Sequence, residues 1–342
     1  MPTVADMRFT ATATPGAAAD ALEHRPVLLH PLIESLQPRP GQIAVDGTLG
    51  AGGVTAALAE RVAPAGRVIA IDRDPDAVRL ASERFAEDET VIAVHGDFAD
   101  LDTITRSLGY PEVDIVTLDL GISSLQLDDP SRGFSFRNDG PLDMRMDPGG
   151  GESAASIVNA WSTEELTSAM RDYGEERFAR SIAAAIVRSR ADRPITTTGQ
   201  LRALVEETVP RRFWPKRIHP ATRLFQSLRI AVNHELDSLE RGLQAAISIL
   251  RPGGRLGVIS FHSLEDTLVK NALHVAAQNC ICPPQQPHCT CAHRATLFIL
   301  TRKVIRPDAA ELATNPRSRS ARLRVAEKLH AGEIPRNPPA NG

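Results

Sequence analysis

Short apolar runs and helical repeats alternate along the first third of the chain. Mostly aliphatic runs cover residues 42–45, 67–71, 91–94 and 113–118. Segments with apolar residues at helical spacing follow them. Runs of this length, each followed by a helix, are typical of parallel strands joined by crossover helices. The pattern therefore predicts an α/β fold with a doubly wound parallel sheet.

The alternation stops after the fourth run. Residues 128–220 contain no strand-like run, but helical patterns recur at 153–160, 163–173, 175–190 and 198–208. This stretch predicts a helical insertion that interrupts the α/β core.

The α/β pattern then returns. We expect a helix over 221–250, a turn at 251–254, a strand at 256–260, a helix at 263–277, and a strand or hairpin within 295–304. The predicted core is therefore 23–127 together with 221–330. Residues 1–22, rich in Ala, Thr and Pro, and residues 331–342 are predicted to be disordered tails.

A glycine-dense turn follows the first predicted strand. It reads Asp46-Gly47-Thr48-Leu49-Gly50-Ala51-Gly52-Gly53, and the second strand ends at Asp72, twenty residues after Gly52. Glycines let the backbone approach a ligand without Cβ clashes. A carboxylate at the end of the second strand can accept from both hydroxyls of a ribose. The spacing indicates a site for a nucleoside-containing cofactor.

The same turn favours S-adenosylmethionine over a dinucleotide. A dinucleotide motif that starts at Gly50 needs Gly or Ala at its sixth position, where this chain has Thr55. Asp46, just before the turn, would repel a pyrophosphate, whereas a sulfonium and an ammonium group tolerate a nearby carboxylate. We interpret the turn as part of a methyltransferase; a glycine-rich turn without a cofactor is the alternative.

Composition describes a globular protein with uneven charge. The 342 residues are 42% hydrophobic and 24% charged, with a net charge of −3. We find no apolar run of about 18 residues and no secretory signal, so we expect a cytoplasmic protein that does not enter a membrane. Residues 202–229 hold seven Lys/Arg against two acids, and residues 294–328 hold nine against three. Two such segments could form a phosphate-binding face, or they are scattered solvated arginines.

Further motifs follow in order along the chain. They are Ala70-Ile71-Asp72-Arg73-Asp74, Leu118-Asp119-Leu120-Gly121-Ile122-Ser123-Ser124, Gln126-Leu127-Asp128, Arg132-Gly133-Phe134-Ser135-Phe136, Gly140-Pro141-Leu142-Asp143-Met144-Arg145-Met146-Asp147-Pro148, Tyr173-Gly174-Glu175-Glu176, His219-Pro220-Ala221-Thr222-Arg223, Ile259-Ser260-Phe261-His262-Ser263-Leu264-Glu265-Asp266 and Asn315-Pro316-Arg317-Ser318-Arg319-Ser320. From about residue 24 to 328 the chain closely resembles the bacterial 16S ribosomal RNA (cytosine-N4)-methyltransferase family, RsmH, also called MraW.

The resemblance implies an S-adenosylmethionine-dependent, class I methyltransferase fold with an inserted helical domain. It also implies methylation of the exocyclic amine of a cytidine in the decoding region of 16S rRNA, in the small ribosomal subunit. By family analogy the cofactor contacts are Asp72 at the ribose, Phe98 beside the adenine, and Gly52, Gly53, Val54, Asp119 and Gln126 around the rest. The family usually has His where this chain has Val54; we expect main-chain groups to make that contact here.

The chemistry needs an acceptor for the amine proton. The cytosine amine is a poor nucleophile because its lone pair is delocalised into the ring. Asp119 follows the fourth strand, where the ligand crevice of such a sheet lies, so we expect it to contact the cofactor or the target amine; a helix cap is the alternative. Asp143 and His262 are further catalytic candidates for handling the proton. Their alternatives are an ion pair for Asp143 and a structural role for His262.

Three residues in the inserted segment are candidates for holding the nucleotide. Phe134, Phe136 and Arg137 could stack on it or clamp it. A hydrophobic plug within the insertion is the alternative.

All four cysteines lie in one short segment. Cys280-Ile281-Cys282 and Cys289-Thr290-Cys291 are separated by six residues, with His288 and His293 nearby. The usual zinc-knuckle spacing is Cys-x-x-Cys, so we predict reduced thiols in a proline-rich loop and no metal; a tetrahedral zinc site is the alternative.

Two other functions are compatible with this fold. One is a methyltransferase for DNA or a small molecule, although a DNA amino-methyltransferase usually has Asp/Asn-Pro-Pro-Tyr/Phe after the fourth strand, where this chain has Asp119-Leu120-Gly121-Ile122. A non-catalytic RNA-binding or assembly factor that retains the fold is the second alternative. The sequence does not determine the oligomeric state.

Overall fold

A computed structural model describes residues 26–283, 285–286, 288–330 and 332. The predicted tail at 1–22 lies outside the described residues, as does the tail at 331–342 apart from Gly332. No helix in the described part of the chain is long and apolar enough to span a bilayer.

Seven strands form one sheet with the order β3-β2-β1-β4-β5-β7-β6. In chain order they are β1 (Ile43–Asp46), β2 (Arg67–Asp72), β3 (Val91–His95), β4 (Val113–Asp119), β5 (Leu250–Ser260), β6 (Leu297–Ile299) and β7 (Arg322–Lys328). Strands β1 to β5 run parallel, and β7 is antiparallel to both β5 and β6. The winding reverses between β1 and β4, and this point opens a crevice at the carboxyl ends of the strands. The predicted doubly wound sheet is confirmed.

Helices cover both faces of the sheet. They are α1 (Leu29–Leu36), α2 (Gly53–Val62), α3 (Pro75–Arg84), α4 (Leu101–Ser107), α5 (Ser124–Asp128), α6 (Ala154–Ala160), α7 (Thr163–Asp172), α8 (Ala179–Asp192), α9 (Thr198–Thr208), α10 (Thr222–Asn233), α11 (Glu235–Ile249), α12 (Ser263–Ala276) and α13 (Ala309–Thr314). Strand β4 is apolar almost throughout because both of its faces are covered: Ile115 packs with α1 and α2, whereas Val116 and Leu118 pack with α11 and α12.

Helices α6 to α9 lie between β4 and β5 and bury a core of their own. Ile157, Leu166, Ile182 and Leu201 supply one side chain from each helix. Helix α10 follows the predicted insertion in sequence, yet its Leu224, Phe225 and Leu228 join the same core. The boundary at residue 220 stays a prediction.

The structure differs from the sequence expectation at two places near the end of the sheet. The expected helix 221–250 is two helices, because His234 has a left-handed backbone (φ +50°) that ends α10 and begins α11. The expected turn at 251–254 lies inside the irregular first half of β5.

Strand β7 was not predicted. Its apolar alternation is masked by arginines, and these are held by an acid from another element: Arg322 and Arg324 both bind Asp266 of α12.

Asn233, at the end of α10, fastens the inserted segment to the core. Its Oδ1 accepts from the amide of Met146 at 2.8 Å, and its Nδ2 donates to the carbonyl of Met144 at 2.8 Å. The side chain is 4% exposed. A single buried amide therefore satisfies two backbone groups of a loop that has no regular structure.

Asn233→Ala should lower the free energy of unfolding by about 2 to 6 kcal/mol, because two buried backbone groups lose their partners at about 1 to 3 kcal/mol each. Urea unfolding followed by circular dichroism measures the change. Asn138→Ala, at an exposed position, is the matched control and should change stability by less than about 0.5 kcal/mol. Equal stability of the two variants would show that the Asn233 contacts do not hold the loop.

Candidate active site

A crevice opens at the carboxyl ends of β1, β2 and β4. Its walls come from the glycine turn, the loop after β4 with α5, and the first turns of α11 and α12. Six of the predicted site residues line it: Gly53, Val54, Asp72, Phe98, Asp119 and Gln126. Gly52, Asp143 and His262 are not among the lining residues.

The glycine turn owes its shape to close approaches that a side chain would block. A Cβ on Gly53 would lie 2.3 Å from Cγ of Pro26, and Gly52 has φ +78° at the N-cap of α2. The Cα–Cβ direction of Gly52 points towards Phe85, 3.2 Å away. Gly52 therefore shapes the turn through its backbone.

Asp72 closes the turn from the end of β2. Its Oδ2 accepts from the Gly50 amide at 2.7 Å, and its Oδ1 accepts from the Asp74 amide at 2.9 Å. Burial raises the pKa of Asp72 to about 6, against the opposing effect of these two amides. Asp72 lines the crevice, and a carboxylate oxygen that accepts one amide can accept a further hydrogen bond, so this group suits a diol.

Asp46 is not among the lining residues of the crevice, although its position before the turn suggested that it would meet a pyrophosphate directly. It is fully buried beneath the turn, where Oδ2 accepts from the Thr55 hydroxyl at 2.7 Å and Oδ1 accepts from the Thr48 amide at 3.2 Å. Thr55 at the sixth position of the motif is thus the partner of Asp46. The negative charge still acts on the crevice from below, since it raises the pKa of both Asp72 and Asp119.

Asp119 is the exceptional group of the crevice. Its backbone amide donates to the Thr48 hydroxyl at 2.6 Å, which fixes the end of β4 against the glycine turn. Its side-chain Oδ1 is buried, and in the described part of the chain no other buried carboxylate oxygen lacks a hydrogen-bond partner. Burial, and then the charges of Asp46 and Glu265, raise the pKa of Asp119 well above its usual value. Such an oxygen is costly to leave unpaired, so it is poised to accept from a ligand.

Gln126 lies in the crevice wall, and both its side-chain oxygen and its side-chain nitrogen make hydrogen bonds within the protein. Its Oε1 accepts from the Ser123 amide at 3.1 Å, and its Nε2 donates to Asp74 at 2.9 Å. Asp74 also accepts from Arg132 at 2.8 Å. Gln126 therefore orients α5 relative to the β2 loop, and this network ties the start of the inserted segment to the crevice.

Val54 and Phe98 give the crevice apolar walls. Val54, in the first turn of α2, is 5% exposed and packs with the core that includes Val27 and Leu58. Phe98 follows β3 and packs so closely on α11 that a Cβ at Gly242 would lie 2.4 Å from its ring. Neither side chain can donate or accept a hydrogen bond from a ligand.

A buried ion network supports the opposite wall. Arg229 of α10 makes a bidentate pair with Glu235 of α11, with both N–O distances at 2.8 Å. Glu265 of α12 accepts from the amides of Phe261 and His262 at 2.8 and 3.2 Å. Although burial acts against it, the contact with His262 and the charge of Arg229 lower the pKa of Glu265, so this carboxylate stays ionised.

His262 is the N-cap of α12 and stands behind the crevice wall. Its Nδ1 accepts from the Glu265 amide at 3.4 Å, and its Nε2 lies 3.1 Å from Oε1 of the same residue. The ring thus holds Glu265 and contributes no lining atom.

Asp143 is paired within its own loop. Its two oxygens accept from Nε and Nη2 of Arg145 at 2.9 and 2.7 Å. Burial opposes the effect, but the Arg145 guanidinium lowers the pKa of Asp143. The arrangement is the ion pair that was the alternative for this residue.

The two phenylalanines of the insertion pack inwards. Phe134 is 7% exposed, and Phe136 meets Phe225 edge-on with ring centroids 4.8 Å apart. Arg137 is exposed. Both rings thus belong to the core of the insertion.

Many lining residues were not predicted as site residues, among them Glu235, Ser238, Phe261 and Arg317. Glu235 and Ser238 reach the crevice only because the chain turns at His234. Arg317 arrives from the C-terminal segment and binds Asp128 at the end of α5, with N–O distances of 2.5 and 3.1 Å. Phe261 and Arg317 belong to two of the motifs that carry the family resemblance, and those motifs could have identified them as site residues.

Comparison with known proteins gives a consistent result. A model of the MraW methylase family matches residues 21–329. Ribosomal RNA small subunit methyltransferase H of Syntrophotalea carbinolica is 49% identical over 311 residues, which cover 91% of this chain and 99% of that protein. The protein of the same name from Thermomicrobium roseum is 52% identical over 309 residues, covering 90% of this chain and 94% of that protein.

Asp119→Asn should stabilise the ligand-free protein at pH 8. Because the folded pKa of Asp119 is raised, the folded state holds the proton more tightly, and stability is lost as the pH rises above the unfolded value. A neutral isostere removes that loss. We expect an increase on the order of 1 kcal/mol at pH 8 and little change at pH 4, measured by thermal unfolding.

Asp143→Asn is the matched control for this prediction. The pKa of Asp143 is lowered, so the same substitution there should destabilise at pH 8. A melting temperature of Asp119→Asn at or below that of the unaltered protein at pH 8 would contradict the electrostatic account of the crevice.

Proposed function

The chain belongs to the MraW methylase family, and we propose that it transfers a methyl group from S-adenosylmethionine to the N4 amine of a cytidine in 16S rRNA. The two relatives described above are both named ribosomal RNA small subunit methyltransferase H. The observation that carries the proposal is the buried, unpartnered Oδ1 of Asp119 in a crevice of the right type. We place the reaction in the cytoplasm, on RNA within the small subunit.

The residues of the crevice suit S-adenosylmethionine in charge and shape. Asp72 would accept from the ribose hydroxyls, and Phe98 would cover one side of the adenine. Backbone groups of the glycine turn would hold the methionine end, because Val54, which stands where the family usually has histidine, offers no side-chain hydrogen bond. The acids around the crevice suit a cation and disfavour a phosphate. When bound, the cofactor supplies an electrophilic methyl group on a positively charged sulfur.

Asp119 would act on the target amine. Its free oxygen accepts an N–H of the cytosine amine, which localises the nitrogen lone pair for attack and holds the amine in line with the methyl group. A carboxylate with a raised pKa is a stronger base than an ordinary one, so it also suits the acceptance of the proton that the methylated amine gives up. Asp143 and His262 act, in this proposal, through the loops that they hold.

The target base must leave its stack to reach Asp119. Phe261 lines the crevice, and its ring lies 3.7 Å from the position of a Cβ on Gly121. We propose that it stacks on the extruded cytosine, since aromatic rings commonly cover a flipped base. Glu265 fixes the Phe261 backbone by accepting a hydrogen bond from its amide.

The RNA backbone would be held by a basic and aromatic loop, residues 211–218. Arg211, Arg212 and Arg217 are exposed there, as is Phe213 at 48%. Arg212 lies 4.9 Å from the centroid of the Phe213 ring, which keeps an apolar face and a cation together. Exposed aromatic rings between arginines are suited to single-stranded RNA, because they combine stacking with phosphate contacts.

The second candidate is a non-catalytic assembly factor that binds RNA, and Val54 is the observation that favours it. Incubation with small subunits that lack the modification, followed by digestion and mass analysis of nucleosides, separates the two. We expect N4-methylcytidine at up to one per subunit, formed only with S-adenosylmethionine. Measurable cofactor affinity with no labelled cytidine would contradict the catalytic proposal, and methylation of another nucleoside would contradict the assigned target.

Charge reversal in the basic and aromatic loop should weaken RNA binding without affecting the crevice. For Arg212→Glu combined with Arg217→Glu, we expect KM for small subunits to rise at least about 10-fold and its salt dependence to become shallower, because phosphate contacts release fewer counterions. Calorimetry should give unchanged affinity for S-adenosylhomocysteine.

Arg39→Glu is the matched control, because Arg39 is exposed on the loop before β1, at the opposite end of the sheet from the crevice. It should leave KM unchanged. An unchanged KM in the double variant would remove the loop from the RNA-binding face.

A further inference from the structure

The four cysteines converge on one point between α12 and β6. Cys280, Cys282, Cys289 and Cys291 each direct Sγ inwards, and the four sulfur atoms all lie within 4.8 Å of one another. The sulfurs of Cys289 and Cys291 are 3.6 Å apart, and those of Cys280 and Cys291 are 3.9 Å apart. The two Cys-x-Cys pairs thus face each other, although their spacing in sequence is unusual.

These separations match a tetrahedral metal site. A zinc ion with four thiolates at about 2.3 Å places its sulfurs about 3.8 Å apart along each edge of the tetrahedron. A disulfide requires about 2.05 Å, well below either measured separation. The observed spacing is that of four ligands around one ion.

Backbone amides point at the sulfurs as they do towards a thiolate. Ile281 donates to Sγ of Cys291 at 3.5 Å, Cys282 donates to Sγ of Cys280 at 3.4 Å, and Thr290 donates to Sγ of Cys282 at 3.5 Å. Such donors stabilise negative charge on sulfur and orient each ligand. An uncharged cluster of thiols would gain little from this arrangement.

The nearby histidine His293 is committed elsewhere. Its Nε2 lies 2.9 Å from the carbonyl of Val275 in α12. The Thr296 amide donates to the carbonyl of Ala276 at 2.7 Å, so the two ends of the loop that carries the cysteines are held together. The loop between them has few apolar side chains to stabilise it, and a metal would supply that stability.

We propose that Cys280, Cys282, Cys289 and Cys291 together bind one structural zinc ion through their four thiolates. This replaces the sequence prediction of reduced thiols without a metal. The site follows the C-terminus of α12, whereas Glu265 in the first turn of that helix lines the crevice, so about 17 Å of helix separates the two. The zinc therefore holds the connection from α12 to β6, and the inference does not rest on the proposed function.

The test is metal analysis of the full chain, purified anaerobically with reductant and without chelator. We expect about one zinc per chain after dialysis, and less than about 0.2 in Cys282→Ser or Cys291→Ser. His288→Ala is the matched control, because it changes a neighbouring potential ligand outside the cluster, and it should keep its zinc. Cobalt in place of zinc should give the intense visible bands of a tetrahedral thiolate complex, a readout that does not depend on a variant folding.

Three results would overturn the proposal. One is a zinc content near zero in the unaltered chain even after incubation with equimolar zinc. Another is iron in place of zinc in the freshly purified protein. The third is a mass that shows two disulfides under anaerobic, reducing conditions.

Discussion

The crevice depends on the burial of several carboxylates at one end of a parallel sheet. Each must find donors, because an unpaired buried charge is costly. Asp46 takes the Thr48 amide and the Thr55 hydroxyl, Asp72 takes two loop amides, and Glu265 takes the amides that begin α12. Asp119 alone keeps a buried oxygen without a partner among the described residues. The folded protein carries that cost at the position that we propose for its substrate.

The surrounding structure keeps this arrangement from relaxing. The Thr48 hydroxyl accepts a hydrogen bond from the Asp119 amide, which holds the end of β4 against the glycine turn. Asp74 joins Gln126 and Arg132, which fixes the loop after β4 against the loop after β2. The inserted helices are thereby attached to the crevice at its rim. Their own core meets the crevice at Met146, and α10, which joins that core, supplies Arg229 to the acid Glu235, so the insertion helps to build the crevice wall.

Sequence patterns were sufficient for the five parallel strands because most of these strands are buried on both faces and appear as plain apolar runs. They also placed Asp72 and Asp119, since acids at strand ends meet at one edge. Strand β7 was hidden by arginines whose partner, Asp266, lies far away in sequence. Glu235 depends on a left-handed residue inside a continuous helical pattern, which no periodicity reveals. The effect of having Val54 where the family usually has histidine could be assessed only once the packing of Val54 was known.

The role of Asp119 is tested most directly by the single-turnover rate of methyl transfer to small subunits, measured with saturating S-adenosylmethionine for the unaltered chain and for Asp119→Asn. Removal of a positioned proton acceptor costs about 10²- to 10⁴-fold. The account predicts a loss of at least about 100-fold in a variant that binds S-adenosylhomocysteine and melts no lower than the unaltered protein. A rate within about threefold of the unaltered chain would contradict it.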